Sequence, residues 1–377
     1  MARLAVVAIL FALSSVLLVP STIALLAGER LPGPRVDLPP TPGSPLAGWP
    51  GASPAEPGDG ASASGTPGTP DTSGAGPLPG DQTVVTVYDE PAQQIRQLPL
   101  ESYLEGVVAA EMPASFGPAA LQAQAVAART FAVLRLIDGT ARCPLEPRAQ
   151  FCSDGDHGQA WASEAERRRF WGVLAPVYEA KIRQAVQATA GEILVWQGRP
   201  IRAYYTASAG GRTASAQEVF GVDLPYLPSL PSPDADRPAR LGLTRIPLQE
   251  AARRLGLSTA SLEGAIPPAA AGTDTSSASP VAVVARTASG RAAKVRVGDQ
   301  TVSGERFRQL LGLPSTLIES IRVEGGDLVI RTRGYGHGVG LSQYGAAALA
   351  QQGYSSRAIL AHYYPGTQVA HLPPGPV

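Results

Sequence analysis

Between Glu29 and Asp81 the chain is dominated by Pro, Gly, Ala, Ser and Thr with scattered acids, as in Gly65-Thr66-Pro67-Gly68-Thr69-Pro70. A segment of this composition buries too little apolar surface to offset its ordering entropy, so it builds no core and reads as an extended, disordered linker. The chain is thereby cut in three: residues 1–28, the linker 29–81 and a folding body 82–370. Residues 1–28 hold an apolar run from Leu4 to Gly28, broken only by Ser14, Ser15, Pro20, Ser21 and Thr22. About 20 apolar residues span a bilayer, whereas the core of a signal peptide is about 7–15. The length favours an uncleaved membrane segment over a signal peptide, and Arg3, the early charge, places the N-terminus inside. Either reading exports the body, membrane-anchored in the first case and secreted in the second.

The body reads as α+β, with helices packed on mainly antiparallel sheet. Thr83–Tyr88 is a short strand run. Glu101–Ala110 has a helical period with Tyr103, Leu104, Val107 and Val108 on one side, stopped by Met112-Pro113. Pro118 stands where a first helical residue would, opening an Ala-rich helix over Ala119–Leu136. Strand-like runs follow at Glu192–Trp196, Ile201–Tyr205, Val281–Ala285, Ala293–Val297 and Leu328–Thr332. Helices are expected at Leu248–Leu255, Glu305–Leu311, Ser342–Gln351 and Ser355–His362, and Pro267–Ser279 reads as a loose interior stretch. Basic and acidic residues balance at 31 each, so no overall field draws the chain to nucleic acid. Lys181 and Lys294 are the only lysines, which argues against lysine chemistry.

Three clusters could carry chemistry. Glu111 lies at a helix end between two apolar helices, where partial desolvation would raise its pKa and suit a general acid. The pattern alone also allows a satisfied helix-end acid, and Glu101 and Glu105, four apart, look like an exposed helix face. Arg333–Ala346 packs five glycines around His337 before a helix, a backbone-rich loop able to approach a ligand closely. Its spacing is not that of a phosphate-binding loop. Cys143, Cys152, Asp154, Asp156 and His157 form the third. A zinc site on Cys143, Cys152 and His157 and a Cys143–Cys152 disulfide both suit these residues, the disulfide favoured by an oxidising compartment. Ser208, before Gly210-Gly211, lacks the elbow of a serine nucleophile. The chain also lacks the HExxH pattern of a zinc hydrolase.

Three blocks in order, LPLESYLEGVVAAEMPASFGPAALQAQAVAARTFA, TAGEILVWQGRPIRAYYTASAGGRTASAQEVFGVDLPYL and GYGHGVGLSQYGAAALAQQGYSSRAILAHYYPGT, resemble the stage II sporulation protein D family, which includes an enhancer of a cell-wall amidase. The likeness runs from about Thr83 to Val369. It implies a peptidoglycan lytic transglycosylase that needs no cofactor and uses the glutamate of VAAEMP, here Glu111, as general acid and then base. It implies substrate-binding roles for His337, Ser342, Gln343 and Tyr344, with Ser208 and Arg129 from the other two blocks. The implied partners are glycan strands and a cell-wall amidase, with the membrane reached through the N-terminal segment. The alternative within the resemblance is a non-catalytic wall-binding protein that stimulates the amidase. The sequence departs from the family pattern at Ala209, where a Ser or Cys often stands. It departs again at Gly158, which replaces a cysteine of the metal-binding members.

Overall fold

The computed structural model describes residues 78–80, 82–235, 242–263 and 280–374. The expected membrane run, nearly all of the linker and the loose stretch 267–279 lie outside these residues. Among the described residues no helix is long and apolar enough to cross a membrane.

Two consecutive helices organise the larger core. Helix α1, Leu100–Glu111, follows Pro99 and buries Leu100, Tyr103, Leu104, Val107 and Val108. It stops because Met112 is extended (φ −128°, ψ 134°), the conformation that the ring of Pro113 imposes on the residue before it. Helix α2, Pro118–Ile137, opens on Pro118, whose missing N–H costs nothing in the first turn. Its alanines let neighbours approach on all sides, and fourteen of its residues are buried. Around α2 pack α1, the helix Ala175–Gln187, the strand Glu192–Trp196 and the C-terminal helices Gln343–Gln351 and Ser356–Tyr363.

The sheets are small and mainly antiparallel, as expected. Val84–Asp89 pairs with Gln94–Pro99 as a hairpin, and Glu192–Trp196 lies between Gln368–His371 and Arg199–Pro200. A second buried cluster, which includes Ile246, Leu248, Phe307, Ile321 and Leu328, lies apart from the first. Over it run two three-stranded antiparallel sheets, one of 243–247, 327–333 and 317–324, the other of 281–286, 292–297 and 300–303. A small third cluster holds Cys143, Ala149 and Cys152.

The expected helices appear within one or two residues. Ile201–Tyr205 is a correction: only Tyr205–Thr206 is strand, and it pairs in parallel with Leu341–Ser342. That short ladder sets Tyr205 beside the start of the helix Gln343–Gln351. The helix Glu164–Trp171 was not legible because it buries none of its residues. Its start is fixed by a capping box, in which Ser163 accepts from the Glu166 N–H and Glu166 accepts from the Ser163 N–H.

Candidate active site

Glu111 is half-buried on the last turn of α1. The segment 159–162 closes over it. Ala162 N–H donates to the Gly106 carbonyl at 3.2 Å, and a Cβ at Gly106 would collide with the Trp161 indole. The close approach requires glycine at that helical position. It brings Ala160 N–H to 2.6 Å from Glu111 Oε1. The Gln343 and Tyr205 side chains also act to lower its pKa. Burial nevertheless outweighs all three and pushes its pKa up to about 7. Among the described residues, no second carboxylate and no cation is one of the groups that shift it.

Neutral groups surround this carboxyl. The Tyr205 hydroxyl donates to Gln159 Oε1 at 2.8 Å, and Gln159 Nε2 donates to the Tyr103 hydroxyl at 3.3 Å and the Ala128 carbonyl at 3.4 Å. Gln343 Nε2 donates to Gln124 Oε1 at 3.4 Å. Tyr344 is half-buried, edge-on to the Phe116 ring at 5.2 Å, on the turn that follows Glu111. Of the residues expected to share a groove with Glu111, Gln343 is among the groups that shift its pKa, and Tyr344 follows Gln343 at the start of the same helix.

The remaining expected binding residues have other partners. Ser208 and Ser342 are 1% and 0% exposed, and both hydroxyls donate to Asp234 Oδ2, at 2.9 and 2.6 Å. The Ala209 and Gly211 N–H groups also reach this carboxylate, at 2.7 and 3.1 Å. Ser342 further caps its helix by accepting from Gly345 N–H. These two serines tie the Gly-Gly turn to the last helix pair through Asp234. Burial alone would raise the Asp234 pKa; hydrogen bonds from Ser342, Ser208, Gly211 and Ser232 overcome it and hold the carboxyl below the usual range.

Arg129 is likewise engaged within the fold. It is fully buried on α2, with Nε and Nη2 forked onto Glu101 at 2.8 and 2.6 Å and Nη1 on the Glu192 carbonyl at 3.0 Å. Its guanidinium locks α1 to α2 and the following strand and is spent as a ligand donor. Glu101 is therefore a partner of a buried charge and not part of a plain exposed face. Glu105 is half-buried too, and burial raises its pKa against the pull of Arg183 and Arg167.

His337 is 7% exposed, with Nδ1 accepting from Val339 N–H at 3.0 Å and its ring against Tyr204 and Phe220. Burial, then the charges of Arg308 and Arg291, push its pKa down to about 3, so the imidazole stays neutral. Next to it a Cβ on Gly338 would collide with the Arg291 guanidinium, which reaches across from the second core to the Ala209 carbonyl at 2.9 Å.

Cys143 and Cys152 form a disulfide with Cα atoms 5.1 Å apart. Both sulfurs are bonded to each other, so the thiolates that zinc would need are absent. What remains nearby is His157 Nδ1 held by Asp154 at 2.8 and 2.9 Å. One imidazole already bound to one carboxylate does not fit a structural zinc centre while the bridge is intact.

Tyr205, Gln159, Gln124 and Asp234 were not singled out as site residues by sequence reasoning. The alternation Ala203-Tyr204-Tyr205 was the available signal for Tyr205. Asp234 sits in the Pro-containing stretch Pro231–Ala235, where no spacing marks it.

A family model described as stage II sporulation protein matches residues 88–196. Stage II sporulation protein D of Bacillus subtilis is 34% identical over 300 residues, 79% of this chain and 82% of that protein. The protein of the same name from Bacillus amyloliquefaciens is 34% identical over 302 residues, 80% of this chain and 83% of that one. An amidase enhancer of Bacillus subtilis is 28% identical over 304 residues, 70% of this chain but 40% of that longer protein.

Proposed function

The chain belongs to the stage II sporulation protein D family, and from that premise we propose that it is a peptidoglycan lytic transglycosylase with Glu111 as its acid and base. The observation that carries this reading is a single desolvated carboxyl, its pKa pushed up to about 7, with no second carboxylate among the groups that shift it. Hydrolysing glycosidases work with a pair of carboxyl groups, one of which activates water or attacks the sugar. A lone acid suits a reaction in which the substrate supplies its own nucleophile. Glu111 donates its proton to the glycosidic oxygen as the bond to N-acetylmuramic acid breaks. The carboxylate so formed takes the proton of that sugar's C6 hydroxyl, whose oxygen closes onto C1 as a 1,6-anhydro ring. The proton count balances over the cycle, and Glu111 ends protonated. The Ala160 N–H and the Gln343 amide stabilise the carboxylate in the interval between the two transfers.

We place this activity outside the cytoplasm, with the body tethered by residues 4–28 or released after their cleavage. Its substrate is glycan whose stem peptides an amidase has removed, and it requires no cofactor. The Cys143–Cys152 disulfide supports an oxidising compartment. The test is incubation of the full chain with peptide-free glycan strands and mass analysis of the products. Anhydro-ended fragments are expected, with their release falling about a thousandfold in Glu111→Gln. Glycan binding without cleavage by the unmodified chain would replace the enzyme by a wall-binding module.

A further inference from the structure

Single apolar side chains are normal on a folded surface, but a cluster of them marks a contact. Of the ten large hydrophobic side chains exposed among the described residues, four fall between 170 and 177. Phe170 is 55% exposed, Val173 95%, Leu174 49% and Val177 63%. They crown the corner where the helix Glu164–Trp171 passes through the short turn Gly172–Leu174 into the helix Ala175–Gln187. The second helix is fixed by its buried residues Ala175, Ile182, Ala185 and Val186, whereas the first buries none of its own. The half-buried rings of Trp171 and Tyr178, edge to face at 5.6 Å, brace the corner.

The charges around this apex are not balanced locally. Arg168 holds both Glu164 and Glu179, at 2.5 and 3.1 Å, and Glu166 is engaged in the capping box with Ser163. Arg167 donates to the Ala162 carbonyl at 2.9 Å, and Arg183 pairs with Glu105 at 3.6 Å. Among the described residues Arg169 and Lys181 have no carboxylate partner. Arg169 directly precedes Phe170, and Lys181 lies one helical turn beyond Val177 on the same face. The apex therefore joins apolar side chains to two cations with no acid left to answer them.

That combination suits an anionic bilayer surface. Elements that lie in the membrane interface set apolar and aromatic side chains into the acyl boundary while their Lys and Arg meet headgroup phosphates. The long stems of Arg169 and Lys181 let the charges stay at the phosphates as Phe170 and Val177 go deeper. Val173, almost fully exposed on a turn, projects as a wedge, and a fluid bilayer accepts a wedge without a preformed complement. A bilayer is also the surface that a tethered body meets. A chain of the length and composition of residues 29–81 spans about 40 Å on average, which gives even a weak apex a high effective concentration of lipid.

We propose that the corner Phe170–Val177, with Arg169 and Lys181, inserts into the surface of an anionic bilayer as a second contact of the body with the membrane. The inference rests on the tethered reading of the chain. It bears on the site, because the helix Glu164–Trp171 starts just after the segment 159–162 that closes over Glu111, and its 8 residues are about 12 Å long. An inserted corner holds Glu111 close to the membrane, so that the glycan strands nearest the bilayer are the ones presented to it.

The test uses the full chain in vesicles of phosphatidylcholine containing about one third phosphatidylglycerol. Val173→Cys carries a polarity-sensitive fluorophore while Cys143 and Cys152 stay bridged, and the same probe on Val222→Cys, exposed elsewhere, is the reference. The probe at 173 should shift to the blue and be quenched by lipid brominated in its acyl chains, and the reference should do neither. Arg169→Gln with Lys181→Gln should lower the insertion constant about thirtyfold. Phe170→Ser with Val177→Ser should abolish insertion, with melting unchanged because both side chains are more than half exposed. A chain that floats with the vesicles while the probe at 173 stays in water overturns the proposal and leaves the tether standing. A shift that grows with protein density and ignores brominated lipid gives the corner to a second copy of the chain and overturns the proposal too. A chain that floats until Phe170 and Val177 are replaced is held by the corner and not by residues 4–28, so the tether would fail and the proposal would stand.

Discussion

Glu111 is half-buried and Asp234 fully buried, and their pKa values move in opposite directions. Asp234 collects two hydroxyl donors, Ser208 and Ser342, together with the backbone N–H groups of Ala209 and Gly211, and stays ionised below the usual range. Glu111 has one backbone N–H at 2.6 Å and the weaker pull of the Gln343 and Tyr205 side chains, and burial prevails. Depth alone therefore does not set the role of a buried acid. The number and kind of groups aimed at it does, and here the donor-rich acid fastens the fold while the donor-poor one is left able to exchange a proton.

Asp234→Asn should be the most damaging way to break this contrast. The amide keeps the volume but presents N–H groups to donors that need an acceptor, and about 3 kcal/mol of stability should be lost in denaturant unfolding. An unchanged denaturation midpoint would mean that the hub is not what fastens the Gly-Gly turn.

Ser342→Ala removes one donor from Asp234 and the cap from Gly345 N–H, and should cost about 2 kcal/mol. Glycan affinity of the folded variant should be unaltered, because the hydroxyl is fully buried. Loss of affinity with intact stability would return Ser342 to the groove.

The smallest effect is expected at Glu111, and it has the opposite sign. An acid whose folded pKa is raised destabilises the fold once pH exceeds its unfolded value of 4.5, and the penalty grows until pH passes its folded value near 7. Glu111→Gln removes that penalty, so it should stabilise the protein by about 1 kcal/mol at pH 8, allowing for partial exposure, and by nothing at pH 4. Melting curves at the two pH values check the crossover. Stabilisation of equal size at both would show that packing, not ionisation, is responsible.

Glu111 and the helices flanking it were legible because local signals agreed: an apolar period, a Met-Pro stop and an N1 proline. The glycine-rich loop was legible as a place of close approach, and close approach is what Gly338 provides under the Arg291 guanidinium. For Ser208, Ser342 and Arg129, whose binding roles rested on the family resemblance, the sequence did not show the partner each side chain has inside the fold. A serine beside glycines resembles a ligand contact until a carboxylate from another loop claims its hydroxyl. Arg129 resembles a groove cation until Glu101 is found beneath it, 28 residues away in the chain.

The sequence by itself determined which helices form among the described residues, that Glu111 ends one of them, and which family the chain resembles. These follow from contacts within a few residues, where period, capping and proline geometry act. The direction of each acid's pKa shift, the disulfide chosen over zinc, and the partners of Tyr205 and Asp234 were decided only by the tertiary structure. Each depends on donors and acceptors brought together from separate segments, and a hydrogen bond is so short-ranged that sequence spacing cannot say which of them will meet.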